Sequence, residues 1–201
     1  MLFRSLHSPS SSCFAVINLD GNVCISNMTE IIKQPNAIES VREREKIMAI
    51  QNKIVQLVGN GTLPSGVETR KLTHHFTEID NEHGCCLYGR EMFMPKGTFV
   101  VGKIHKRQGL NFLLKGRIYV QTEFGKKVYE APCIVKGEAN VKRVVYAYED
   151  SIFVNVHLTK YTGEENLDMV EKDIVADDYK DVGLIDSVDK LLETKENNHG
   201  V

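Results

Sequence analysis

The feature that most constrains this chain is a change of period. From Asn36 to Val58, apolar residues recur every three or four positions; after the stretch "GNGTLPSG" at 59–66 they alternate, and no helical pattern returns before residue 163. Runs rich in Val, Ile, Tyr and Phe cover 85–94, 98–105, 110–114, 116–122, 126–130, 133–136, 141–148 and 151–158. Turn chemistry separates them, as in Pro95-Lys96-Gly97, Lys115-Gly116, Glu123-Phe124-Gly125, Lys136-Gly137 and Glu149-Asp150. None of the intervals has room for a crossover helix, so neighbouring strands must pair antiparallel. Roughly eight short strands in about 75 residues leave too many edges for an open sheet, and a mainly β, jelly-roll type barrel closes them.

Helices flank this region. Asn36 can cap a helix with Glu39 three residues on, and Ile38, Val41, Ile47, Ile50, Ile54 and Leu57 form an apolar stripe that Gly59 and Gly61 end. Arg42, Glu43, Arg44, Glu45, Lys46 and Lys53 form the opposite, solvated face, and so narrow a stripe also suits subunit packing. The segment "GEENLDMVEKDIVADD" places Leu167, Val170 and Ile174 on one helix face, and a further helix is expected over 187–194. The expected organisation is a helical arm over 28–61, a barrel over 71–160 and an acidic helical tail over 161–201. Residues 1–27 carry a Ser cluster and one short apolar patch, too little for a signal peptide; Met28 reads as an ordinary start, so 1–27 is expected to be a disordered or mis-assigned extension.

Composition narrows the partners. A net charge of -2 gives no global reason to bind nucleic acid. The local basic cluster Lys103, Lys106, Arg107, Lys115 and Arg117 reads as a strand edge guarded by cations. Five cysteines, with Cys85 and Cys86 adjacent, do not make a disulfide framework, and no apolar run is long enough for a membrane span.

Two longer stretches, "PKGTFVVGKIHKRQGLNFLLKGRIYV" and "EAPCIVKGEANVKRVVYAYEDSIFVNVH", resemble the paired motifs of the cupin superfamily. The phrases "HHF", "YGREMFMPKGT" and "LLKGRIYV" are similar to cupin-like proteins encoded by tailed bacteriophages. The resemblance runs from Lys71 to Asp178 and implies a cupin-like jelly-roll barrel. In metal-binding members, three imidazoles and one carboxylate project inward to hold a transition metal. Carried over residue by residue, His105 stands at the first His and Arg107 at the second; the Glu position falls on Asn111 or Gly109, and the third His on Asn140 or Arg143. A guanidinium cannot ligate a cation and repels it, so no metal or other cofactor is expected. A rebuilt site would draw on His105, His75 and His157, although adjacent His74 and His75 must point opposite ways on a strand.

The candidate pocket is therefore His105, Arg107, Asn111, Arg143, His157 and Tyr146, a positive, hydrogen-bonding set suited to a carboxylate or phosphate. The same groups could instead pair with one another, with backbone or with a neighbouring subunit. With no acid placed to orient His105, enzymic activity is left open and leans toward none. The expected function is a non-catalytic structural or accessory module of a tailed-phage virion, a homo-oligomer that contacts other virion proteins, in the virion or host cytoplasm, with the flanking helices as docking arms. The alternatives are a metal-free epimerase or isomerase, a metal-dependent cupin enzyme, or a small-ligand-binding cupin.

Overall fold

The computed structural model describes residues 36–62 and 71–197, together with two short strands near the N-terminus. The chain divides into two units, 1–33 and 34–201. In the first, β1 (Val16–Ile17) pairs antiparallel with β2 (Val23–Cys24). Apart from these strands, the expected extension over 1–27 lies outside the described residues, as does 28–35 of the arm.

The second unit opens with α1 (Ala37–Gly59). Asn36 accepts from the Glu39 amide at 2.9 Å and the Glu39 carboxylate accepts from the Asn36 amide at 3.0 Å, the reciprocal capping box read from the sequence. The strands are β3 (Lys71–Phe76), β4 (Cys86–Met94), β5 (Phe99–Val101), β6 (Ile104–His105), β7 (Gly109–Lys115), β8 (Arg117–Thr122), β9 (Gly125–Glu130), β10 (Cys133–Gly137), β11 (Val144–Ala147) and β12 (Ser151–Thr159). They form a five-stranded sheet in the order β10-β7-β12-β4-β3 and a four-stranded sheet in the order β5-β11-β8-β9, with every pairing antiparallel. This is the mainly β, antiparallel jelly-roll arrangement that the change of period predicts.

The structure corrects three boundaries. Residues 71–76, within the expected barrel but not among its expected strand runs, form the edge strand β3. The run 98–105 is two strands: β5 pairs with β11, a ladder that Gly102 extends by donating its N–H to the Arg143 carbonyl at 2.8 Å, and β6 then pairs with a different strand, in the C-terminal region. The tail helix is shorter than expected: α2 spans Leu167–Ile174, and Val175–Ala176 then extend as β13 to pair with β6. Beta-branched Ile174 and Val175 favour that switch. The last helix, α3, covers Val188–Asn197.

Both helical regions pack on their own barrel. Helix α1 lies against β8, where Gln121 donates to Glu43 at 3.2 Å and Arg44 meets Glu123, 1% exposed, at 3.1 Å. Met48 packs beside Ile104, Ala176 and Tyr179. Val170 and Ile174 of α2 bury against Tyr88 and Val175, about 1.5–3 kcal/mol for each side chain. The helices expected to serve as docking arms each bury one face on their own barrel. The basic cluster is likewise answered by tail acids and tail backbone: Lys103 pairs with Glu171 and Asp177, Arg107 with Asp173, and Lys106 donates to the Lys172 carbonyl.

Candidate functional site

Register decides what lines the barrel. On β12, "SIFVNVHLT", alternation turns Ser151, Phe153, Asn155, His157 and Thr159 inward and Ile152, Val154, Val156 and Leu158 outward. Cross-strand pairing sets His74, Arg90, Asn155 and Asn111 side by side in one inward row across β3, β4, β12 and β7. The adjoining row holds Phe76, Tyr88 and His157. Toward the other end lie Met92, Phe153 and Leu113, which join Met94, Ile118, Val145 and Ala147 in the main apolar core. The barrel thus has an apolar floor and a polar upper half.

Between them opens a cavity of about 460 Å³. Arg90, Arg143, Lys103, His74, His105, Asn155 and Tyr88 supply its polar walls together with the Glu171 carboxylate, which pairs with Lys103 at 2.7 Å, and apolar surface comes from both sheets and α2. Asn155 donates from Nδ2 to Asn111 Oδ1 at 2.7 Å, which fixes both amides. His74 Nδ1 and the Tyr88 hydroxyl are 2.8 Å apart. The Arg143 guanidinium donates to the carbonyls of Val141 and Glu138, at 3.1 and 3.0 Å. Arg90 has no hydrogen-bond or ion-pair partner among the described residues. Two close approaches make the upper half possible. A Cβ on Gly109 would sit 2.5 Å from the Val156 carbonyl and 2.9 Å from His157 Nδ1, and one on Gly137 would sit 2.9 Å from Asn111 Nδ2.

His105 and His157 meet edge to face with ring centroids 4.3 Å apart. Burial, then the neighbouring His157, Arg143 and Arg90, push His105 down to about 2. Burial, then Arg90, Arg143 and Arg107, push His157 down to about 4. Both rings are neutral at physiological pH, and His105 Nδ1 and His157 Nε2 have no hydrogen-bond partner among the described residues. Burial also raises the Tyr88 phenol and lowers the Arg143 guanidinium.

Of the residues expected in the pocket, His105 and Arg143 line the cavity, Asn111 and His157 touch its walls, and two stand elsewhere. Arg107 turns out to the surface, where it pairs with Asp173 at 2.8 Å. The two-residue alternation that would aim it inward stops at His105, where β6 ends. Its hydrogen bonds and those of Thr159 hold Asp173 below the usual carboxylate range against the opposing effect of burial. Tyr146 lies on the opposite face of β11 from Val145, edge to face with Tyr148 at 5.2 Å. The sequence reading missed Arg90, Asn155 and Lys103. Arg90 was legible only through pairing, since "YGREM" alternates as well with Arg inward as outward.

The donor set does not fit a metal of the kind cupins hold. His105 and His157 come together, but His75 points from the outer face toward Glu91 at 3.1 Å, and two guanidiniums face the imidazole pair. No group of three or more His, Cys, Asp or Glu that could hold an ion occurs among the described residues.

No family model matches the sequence, and no curated protein matches it. Solved structures similar to it include KdgF from a Halomonas species, at 12% identity over 44% of this chain and 90% of that one, with a TM-score of 0.33. An RmlC-like cupin from Shewanella frigidimarina is similar at 14% identity over 47% of this chain and 89% of that one, with a TM-score of 0.34. A cupin 2 conserved barrel domain protein from Leptotrichia buccalis is similar at 11% identity over 50% of this chain and 46% of that one, with a TM-score of 0.39. The structures to which this chain is similar thus include cupin barrels.

Proposed function

We propose that the barrel is a non-catalytic receptor for a small organic anion, of the carboxylate class, with an apolar body. The observation that carries this reading is the partnerless Arg90 guanidinium in the wall of a 460 Å³ cavity. An unpaired, half-buried cation is unfavourable in the empty protein, and a carboxylate is the group a guanidinium grips in bidentate fashion. Arg143 and the Asn155 amide stand in the same wall, and Phe153, Met92 and Val145 offer the apolar body a seat. A binding role is favoured over catalysis because neutral His105 has no carboxylate to orient it.

The test is thermal melting of the whole protein with benzoate, neutral benzamide and inorganic phosphate. Benzoate at about 100 times its Kd should raise Tm by roughly 5–10 °C, benzamide by far less, and Arg90→Leu should remove the shift. Phosphate tests whether charge without an apolar body suffices. Equal shifts with benzoate and benzamide, or a benzoate shift retained in Arg90→Leu, would overturn the reading.

A second reading, an assembly module of a tailed-phage virion, is favoured by the apolar outer face of the five-stranded sheet and by the phage-like phrases. It expects the protein in purified particles by mass spectrometry, and a protein found only free in the host cytoplasm sinks it. No helix among the described residues is long and apolar enough to cross a membrane.

A further inference from the structure

The cavity carries both signs of charge, and two of its opposite charges do not meet. Arg90 stands in the inward row with His74 and Asn155. Tyr88 stands one row further from the apolar floor, two residues and roughly 7 Å along β4, and Glu171 enters the wall from α2. Burial raises the Tyr88 phenol most; beyond that, the Arg90 cation lowers it and the Glu171 carboxylate raises it, so both charges act on one hydroxyl. Arg90 and Glu171 nevertheless form no ion pair with each other, and Glu171 turns instead to Lys103 at 2.7 Å. Resting on the carboxylate reading of Arg90, we propose that the ligand of this cavity is a zwitterion, an α-amino acid with an apolar side chain, whose carboxylate lies on Arg90 and whose ammonium lies on Glu171.

Several features select that class. A plain anion on Arg90 would face the Glu171 carboxylate across the cavity, where charges are screened less than in bulk water, and an ammonium on the ligand turns that repulsion into attraction. Glu171 can make the exchange because Lys103 holds a second carboxylate, Asp177 at 3.1 Å. Lys103 and Glu171 are both nearly half exposed, so opening their pair costs little. The Tyr88 hydroxyl, 2.8 Å from His74 Nδ1, can donate to that nitrogen and keep its lone pairs for an N–H donor. Because Arg90 and Tyr88 stand in adjacent rows, the two ligand charges must be close together, as they are on a single carbon. The side chain of that carbon is then left to the floor, where Met92, Phe153 and Val145 line the cavity.

The test is calorimetric titration of the whole protein with each enantiomer of phenylalanine, with hydrocinnamate, which lacks the ammonium, and with phenethylamine, which lacks the carboxylate. One enantiomer of phenylalanine should bind about tenfold or more tighter than either fragment. Glu171→Gln should remove that preference by weakening phenylalanine and tightening hydrocinnamate, opposite changes that a merely structural loss would not produce. Should this variant misfold, Lys103→Met, which frees Glu171 from its present partner, should widen the advantage of phenylalanine over hydrocinnamate. Hydrocinnamate matching both enantiomers, Glu171→Gln weakening both carboxylates alike, or Lys103→Met narrowing the advantage would each overturn the ammonium site and leave the carboxylate reading standing. Phenethylamine matching phenylalanine, no binding by either carboxylate, or binding indifferent to Arg90→Leu would overturn both.

Discussion

The four-stranded sheet carries helix α1 on its outer side, tied by Gln121 to Glu43 and by Arg44 to Glu123, whereas the five-stranded sheet carries nothing among the described residues. Their inner faces differ in the opposite sense. The four-stranded sheet turns Ile118, Val120, Val145 and Ala147 inward, all apolar, while the five-stranded sheet turns in Arg90, Asn111, Asn155 and His157. A strand has two faces and one alternation, so filling the inner face of β12 with polar groups moves its valines and leucines to the outside. A polar cavity and a bare apolar exterior are two results of one choice of register.

Several measurements would break or sharpen that contrast. The largest effect should come from pH. A histidine whose folded pKa lies below its unfolded value near 6.5 leaves the unfolded chain with more bound protons. Stability is therefore intact above about pH 6.5 and is lost as pH falls toward about 4 for His157 and about 2 for His105. With both groups contributing, unfolding free energy should drop by about 2.4 kcal/mol per pH unit between pH 6 and pH 4, measured by urea titration. A double His105→Gln, His157→Gln variant should flatten that slope; an unchanged slope would place the titration elsewhere.

Next, Arg44→Met should cost about 3–5 kcal/mol, since it leaves the buried Glu123 carboxylate uncompensated on the covered sheet. On the five-stranded sheet, Leu113→Ala should cost about 2–5 kcal/mol, because Leu113 is 1% exposed in the floor. Asn155→Ala should cost about 1–3 kcal/mol by orphaning Asn111. The smallest change is expected at Leu114, one residue from Leu113 and 54% exposed: Leu114→Ser should stay within about 0.5 kcal/mol. Equal losses at Leu113 and Leu114 would abolish the distinction between the two faces.

Much of this was legible in the sequence, and where it was not, the reason is physical. The capping box and the strand runs were readable because their signals are local: a side chain three residues from its partner, and alternation within one strand. The cavity was only half readable. His105 and Arg143 could be placed from spacing, but Arg90 and Asn155 meet through pairing of β4 with β12, 65 positions apart in sequence, and no local pattern specifies that register. Arg107 was misplaced because alternation was carried past the end of β6, where Asp173, from a helix that had been read as a separate tail, draws the guanidinium outward. Tyr146 was misplaced through face: a strand of four residues offers two inward positions, and Val145 and Ala147 hold them.

The pairing of β13 with β6, with the Lys106 amide donating to the Ile174 carbonyl at 2.9 Å, has a consequence for synthesis. A nascent chain can close both sheets once Thr159 has left the ribosome, yet the roof over His105 is then still inside the exit tunnel. For that interval the protein is an open vessel, and any C-terminal deletion that removes Val175 and Ala176 would keep it so for good.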